Sequence, residues 1–302
     1  ISRGIPLPDC PPRWKTPEPR TVRGARFDPE RVDRVLGAMR HLRHTKGQWS
    51  GQPLVPDPWQ VAYVLAPVFG WVRQTDGGLW ARIIQSLYVD VPRRNGKTTL
   101  SGGIAMYLTA ADGEDGAEVY ALAAGKEQAR KTFDPVKAIA EKSPAVGPNV
   151  KCLADKIVHK RTGSFFQVVS SVADLMHGAN VHGAIIDELH VHKKADLVET
   201  VETGTGSRHQ PLVTIITTAD EGRQDTIYAR KRKYIEQLAR KIIRDETTYG
   251  VVWAADKDAD PVAPATQRKA NPGYGISPTK EYLERAARKA QNSPADLASY
   301  LR

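Results

Sequence analysis

The chain has 302 residues, 40% hydrophobic and 26% charged, and carries a formal charge of +10 because 44 Lys and Arg face 34 Asp and Glu. That length holds one large α/β domain, or a domain with a small appendage, and no apolar run reaches the roughly 18 residues that a membrane span requires. Cys10 and Cys152 stand far apart without metal-ligand spacing, which argues against a disulfide framework and fits a reducing cytosol.

Residues 1–27 read as an arm, with Pro6, Pro8, Pro11, Pro12, Pro17 and Pro19 among Arg3, Arg13, Arg20, Arg23 and Arg26. Such a segment is extended and poorly ordered unless docked. It does not read as a signal peptide, and with Ile1 rather than Met first, the native start is expected upstream or trimmed. Asp28-Pro29-Glu30 then starts a helix, with Asp28 as N-cap and Val32, Val35, Leu36, Met39 and Leu42 as its buried stripe. A second helix opens at Pro56-Asp57-Pro58-Trp59-Gln60 and carries Val61, Val64, Leu65 and Val68.

From residue 83 strands and helices alternate. Strand 83–89 leads through Val91-Pro92-Arg93-Arg94-Asn95-Gly96-Lys97-Thr98-Thr99 into helix 97–111. Strand, tight turn, Gly-Lys-Thr and helix make a phosphate-binding loop: backbone N–H groups point at an anion, the lysine reaches the outer phosphates and the Thr98 hydroxyl ligates Mg²⁺. The usual glycine five residues before Gly96 is Val91 here, so a surface turn with a solvated lysine is the competing reading of this segment. Strand 117–123, helix 125–142 and a β-rich excursion over 151–170 follow, the last a hairpin turning at Thr162-Gly163-Ser164.

The run Val181 to Ile186 reads as a buried strand ending in Asp187-Glu188. Acids at the C-terminal end of a parallel strand border the ligand crevice of an open α/β sheet. Asp187 then holds Mg²⁺ opposite Thr98, and Glu188 polarises the water that attacks the γ-phosphate. A short helix near 193–201 precedes the β-branched strand 211–219, whose Thr217 and Thr218 either meet the γ-phosphate or serve β-propensity alone.

Helix 223–243 buries Ile227, Tyr234, Ile235, Leu238 and Ile242. Its Arg230, Lys231, Arg232, Lys233, Arg240 and Lys241 read as a solvated face rather than a DNA-tracking surface. Strand 248–255 ends the core domain, 28–255. The tail, 256–302, reads as a turn, the loop Ala270-Asn271-Pro272-Gly273-Tyr274-Gly275, helix 279–291 and a short helix from Pro294, packed on the core. His177, His182, His190 and His192 invite a zinc reading, but His190 and His192 point apart on a helix and no cysteine supports them. Strands alternating with helices imply a mainly parallel sheet covered on both faces.

These pieces in this order resemble the ATPase half of the large terminase subunit, the DNA-packaging motor of tailed bacteriophages, in the branch found in lambdoid-like and actinobacterial phages. The resemblance runs from about Gly47 to Arg302. It rests on Pro58-Trp59-Gln60, Pro92 to Thr98, Glu127-Gln128-Ala129 with Phe133, and Met176-His177-Gly178-Ala179-Asn180 leading to Ile186-Asp187-Glu188-Leu189-His190. Thr217-Thr218-Ala219, Ala270-Asn271-Pro272-Gly273 and the closing Ser293-Pro294 to Leu301-Arg302 add to it. Terminases tolerate loss of the first loop glycine and carry an arginine before the Gly-Lys, which accounts for Val91.

The resemblance implies a P-loop NTPase of the ASCE type with a small helical C-terminal appendage. It implies ATP and Mg²⁺ as cofactors, and Gln60 as the adenine-reading glutamine beside Trp59. Arg94, Asn95, Gly96, Lys97, Thr98 and Thr99 would surround ATP, and Thr98 and Asp187 would hold the metal. Arg93, Lys97 and Glu188 would be catalytic, and Thr217, Thr218 and Ala219 the motif coupling hydrolysis to DNA movement. The arginine supplied by a ring neighbour stays open among Arg130, Arg161 and Arg208. Double-stranded DNA, a portal protein, a small terminase subunit and a homo-oligomeric ring are the implied partners, in the host bacterial cytoplasm. The family's C-terminal nuclease is expected to begin where this chain ends, so ATP hydrolysis without endonuclease activity is expected from these residues. A helicase-like ATPase and a non-hydrolysing nucleotide-binding remnant are the competing functions.

Overall fold

A computed structural model describes residues 8–122, 125–172, 178–192, 195–220, 222–256 and 258–301. Arg3 and Pro6 of the arm, Ala123, Met176 and His177, Lys193, Lys257 and Arg302 lie outside the described residues.

The arm from residue 8 onward is docked. Trp14–Lys15 (β1) pairs antiparallel with the edge of the main sheet at Val251 and Val252. Arg26–Phe27 (β2) starts a small three-stranded sheet. Cys10 is buried, its thiol donating to the carbonyls of Arg268 and Lys269 while its own carbonyl accepts from the Trp253 indole at 3.0 Å. Asp28 caps helix α1 (Pro29–Arg40) as its sequence requires, accepting from the Glu30 N–H; Val32, Val35, Met39 and Leu42 are buried.

The second helical rod runs through α2 (Pro58–Gln60), a π-helical stretch Val61–Leu65 and α3 (Ala66–Gly70). Pro67 has no N–H to give the Tyr63 carbonyl four residues back. The Tyr63 carbonyl accepts the Tyr249 hydroxyl at 3.0 Å, so the irregular turn ties the rod to the sheet. β3 (Trp71–Gln74) and β4 (Trp80–Arg82) complete the small sheet with β2.

The main series follows: β5 (Ser86–Asp90), α4 (Lys97–Ala110), β6 (Glu118–Leu122), α5 (Lys126–Lys142), β7 (Val150–Cys152), β8 (Lys156–His159) and β9 (Phe165–Val169). Then come β10 (Val181–Asp187), α6 (Asp196–Thr203), β11 (Leu212–Thr217), α7 (Ile227–Ala239) and β12 (Thr248–Val252). The nine-stranded sheet has the order β1-β12-β5-β11-β10-β6-β9-β8-β7. Its centre, β12 to β9, is parallel throughout, with antiparallel strands only at the two edges.

Successive residues of the central strands alternate between two cores. Leu87, Val89, Val119, Ala121, Ile185 and Ile216 pack with α1, α4 and α5 on one face. Tyr88, Tyr120, Ala184, Ile186, Val213 and Ile215 pack with α6 and α7 on the other. The expected α/β architecture, a mainly parallel sheet flanked by helices, is the architecture observed.

Several expectations need correction. The strand expected over 83–89 begins at Ser86; Ile83 and Ile84 are buried ahead of it. The 151–170 excursion is three strands, and β9 also pairs parallel with β6, so the hairpin extends the sheet. Helix 223–243 is shorter: Thr226 caps it by accepting from Ala229 N–H, and Lys241 leaves it with φ 60°. Ile227, Ile235 and Leu238 are buried as expected, but Tyr234 and Ile242 are exposed. Its basic face is not simply solvated, because Arg230 pairs with Glu199, Lys231 with Glu202 and Arg232 with Asp90. The tail forms α8 (Pro264–Ala270), α9 (Lys280–Ala290) and α10 (Pro294–Tyr300), the first not foreseen.

Candidate functional site

The parallel register puts the C-terminal ends of β5, β11 and β10 side by side, with Thr217 opposite Asp90 and Asp187 opposite Ile216. At this end of the sheet β5 runs into residues 91–96 and α4 begins. Gly96 caps α4 with φ 69°, a left-handed conformation open to glycine at no steric cost. The first N–H groups of α4 have no intrahelical acceptor, and the helix dipole favours an anion beside them. Lys97 is 9% exposed, and its ammonium donates to the carbonyls of Val91 at 3.2 Å and Pro92 at 3.4 Å. Val91, where a glycine was expected, has its side chain in the core.

A cleft of about 910 Å³ opens over this turn, lined by Arg93, Arg94, Gly96, Lys97, Thr98 and Thr99 together with Glu188. Glu188, far downstream in the chain, therefore lines the same cleft as the turn, and Asp187 lies close enough to act on the charge of Lys97. Burial pulls the Lys97 ammonium below its usual range, and Glu188, Asp187 and Asp90 oppose that. Burial and the neighbouring Glu188 carboxylate push Asp187 up to about 6, while Lys97 pulls it down. Among the non-glycine described residues, only Arg94, Glu188 and Lys241 have positive φ, and the first two border this cleft. Such conformations persist only where the surroundings fix them, and they collect at ligand sites.

Glu188 does not stand alone. Its carboxylate lies 3.1 Å from His190 Nε2, and His190 Nδ1 lies 3.4 Å from the Thr217 hydroxyl. Thr217 in turn donates to the Thr218 carbonyl at 3.1 Å. Burial, with Arg93 and Lys97, holds His190 below its ordinary value against the pull of Glu188. Thr217 and Thr218 are fully buried and stay off the cleft surface; the Thr218 hydroxyl has no partner. Ala219 borders a second cavity of about 510 Å³, shared with Asp90 and Arg93, beneath the C-terminal helices.

Other expected residues take roles that the sequence did not suggest. Trp59 is 1% exposed and packs edge-to-face on Trp253 at 5.0 Å, so it belongs to the core. Gln60 is buried, accepts from Asp57 N–H at 3.0 Å, and sits with Nε2 against Gly96. It buttresses the turn from behind and does not line the cleft. The Asn95 side chain is committed to the tail: Nδ2 donates to Asn271 Oδ1 at 2.9 Å, and Oδ1 accepts from Gly273 N–H at 2.9 Å. Only its backbone remains for a ligand. Arg94 stacks on Tyr282 at 4.2 Å while its carbonyl accepts from the Ser277 hydroxyl.

Two groups were missed. Asp90 is buried beside the loop and accepts from Tyr228 at 2.8 Å, Tyr88 at 3.3 Å and the Arg232 guanidinium. A lone acid closing an apolar strand was its signal. His190 was visible only as a histidine near the acids. Among the candidate trans-acting arginines, Arg130 and Arg161 are exposed, whereas Arg208 is tied to Glu114 at 3.1 Å and to the Asn180 and Gly116 carbonyls. Among the described residues there is no group of three or more His, Cys, Asp or Glu that could hold a metal ion. Likewise, no helix among them is long and apolar enough to cross a membrane.

Residues 58–237 match the family described as terminase large subunit, ATPase domain. The crystal structure of the HK97 bacteriophage large terminase is similar over 90% of this chain, with a TM-score of 0.74 and 22% identity. This chain covers 54% of that one, about half its length. Protein YmfN of Escherichia coli (strain K12) is 35% identical over 116 residues, which are 38% of this chain and 25% of YmfN.

Proposed function

The chain belongs to the terminase large subunit ATPase domain family, and from that premise we propose that it hydrolyses ATP in the cleft over residues 93–99. In a packaging motor this hydrolysis would drive double-stranded DNA into a procapsid. The observation that carries the proposal is the meeting of Lys97 and Glu188 in one cleft, with Asp187 close enough to act on the Lys97 charge.

Phosphoryl transfer demands positioning and charge stabilisation more than covalent chemistry. The amides opening α4 cradle the phosphates. Lys97, released from the Val91 and Pro92 carbonyls, and the exposed Arg93 take up charge on the transferring group. Glu188 orients and polarises the attacking water. Thr98 and Asp187 would hold Mg²⁺; a partly buried carboxylate repelled by its neighbour, with an exposed hydroxyl, suits a cation that takes few protein ligands. When bound, that ion neutralises phosphate charge. The His190 contact with Thr217 supports the coupling role proposed for Thr217, Thr218 and Ala219.

The partners belong to the same proposal: DNA against a chain of formal charge +10, a portal, a small terminase subunit and a ring of copies, in the host cytoplasm. Lys97→Ala is expected to lower turnover by at least roughly a hundredfold. Glu188→Gln is expected to keep ATP binding and lose turnover by about 10²–10⁴. Unchanged steady-state hydrolysis in the Glu188 variant would sink its assignment. Specific activity that climbs with protein concentration and with added DNA supports a ring motor. Binding without turnover at every concentration points instead to a non-hydrolysing scaffold.

A further inference from the structure

The cleft has a polar floor suited to phosphates, and its lining combines polar Lys46 and Gln48 with the exposed apolar side chains Trp49 and Ile276. One wall is the turn Gly47–Trp49, which ends in a tryptophan 48% exposed. The turn is well defined: Ser50 N–H donates to the Gly47 carbonyl at 3.1 Å, Gly51 N–H to His44 at 2.8 Å, and Gln52 N–H to Trp49 at 2.9 Å. The other wall includes Ile276, 50% exposed, and Tyr282. Tyr282 already carries the Arg94 guanidinium, whereas among the described residues no ring or cation stacks on Trp49.

A large aromatic left in water beside a phosphate-binding floor has a natural complement. The phosphates of a nucleotide are charged, but its base is a flat, largely apolar ring. Gln60, the residue expected to read the base, is buried behind Gly96 with its amide oxygen already bonded. We propose that Trp49 is the stacking platform for the nucleotide's base, with Ile276 as a second apolar contact. The inference rests on the nucleotide reading of the cleft and names how that site takes its base. Stacking uses a π-face that every base has, so the platform distinguishes nucleotides from bare polyphosphate, not adenine from guanine.

The test measures binding of ATP, GTP and inorganic tripolyphosphate, each with Mg²⁺, to the full chain by calorimetry. Trp49→Ala is expected to weaken ATP and GTP by roughly tenfold, the usual scale of one base–aromatic stack, and to leave tripolyphosphate unchanged. Trp49→Phe should restore most of the loss, and the exposed position makes misfolding an unsuitable excuse. Lys97→Ala is expected to weaken all three ligands. If Trp49→Ala binds ATP as wild type does, or loses tripolyphosphate as severely as ATP, the platform is wrong while the nucleotide site stands. If wild type binds none of the three, the nucleotide reading fails and the platform with it.

Discussion

The proton count along Glu188, His190 and Thr217 constrains what these side chains do. Thr217 gives its hydroxyl proton to the Thr218 carbonyl and so presents a lone pair toward His190. An imidazole satisfying both Thr217 and the Glu188 carboxylate as donors must be cationic, yet burial and the nearby Arg93 and Lys97 disfavour the cation. A neutral ring with its proton on Nε2 keeps the bond to Glu188, and the Thr217 hydroxyl must then swing from Thr218 to Nδ1. Such a swing would register the orientation of Glu188 at the tip of β11. Thr217→Val removes the swinging group, and its expected cost is about 1–2 kcal/mol in the barrier, near five- to thirtyfold in kcat. KM for ATP should hold, Thr217→Ser should recover activity, and His190→Ala added to Thr217→Val should cost little more, because both remove one connection. A rise in KM at constant kcat would place Thr217 in binding instead.

Between elements, the tail is fastened to the 91–96 loop by Asn95, Asn271 and Gly273. A Cβ on Gly273 would fall 2.2 Å from the Ser277 carbonyl oxygen and 3.1 Å from Asn95 Oδ1. The first neighbour is backbone, so the 273–277 turn must shift to admit Gly273→Ala. The expected outcome is a loss of about 1–3 kcal/mol as the buried Asn95 and Asn271 amides lose partners. Calorimetric melts would show it, together with a raised KM for ATP as the loop loosens; an unchanged melt and KM would mean that the two segments move independently. Ala270-Asn271-Pro272-Gly273 stood out in the sequence as a run, but its partner lies 178 residues away, and no local periodicity reports that. Elements were legible where their signals are local. Asp28 and Pro29 announce α1, the β-branched runs announce β10 and β11, and Thr162-Gly163-Ser164 announces its turn. Strand order was not legible, since packing of the crossovers decides that β11 lies between β5 and β10. Gln60 shows the same limit at the site: its position by the loop was readable, but its capping bond to Asp57 was not.

Across the whole molecule, the sheet separates the cleft from a buried ion cluster. The cleft lies at the C-terminal ends of the parallel strands, and a buried ion cluster holds the other end. Arg82 pairs bidentately with Asp112 at 3.2 Å, donates to the Gln210 carbonyl, and shares Asp112 with His182 at 2.9 Å. Both charged side chains are almost fully buried, at 1% and 3% exposure. One cluster thereby joins the small sheet, the end of α4, the start of β10 and the approach to β11. Burial alone would raise the Asp112 carboxyl, but Arg82 and His182 outweigh it and hold the group below the ordinary aspartate value of 3.8. The folded state therefore gives up this proton more readily than the unfolded chain. The resulting stability is fully present well above 3.8 and drains away as pH falls from there toward the depressed folded value. Asp112→Asn leaves Arg82 buried and unpaired, a cost of about 3–5 kcal/mol at neutral pH. Urea unfolding of both proteins across a pH series should show that gap constant from neutral pH to mild acid and shrinking below the unfolded carboxyl value. A gap that widened in acid would mean that Asp112 does not carry the titration.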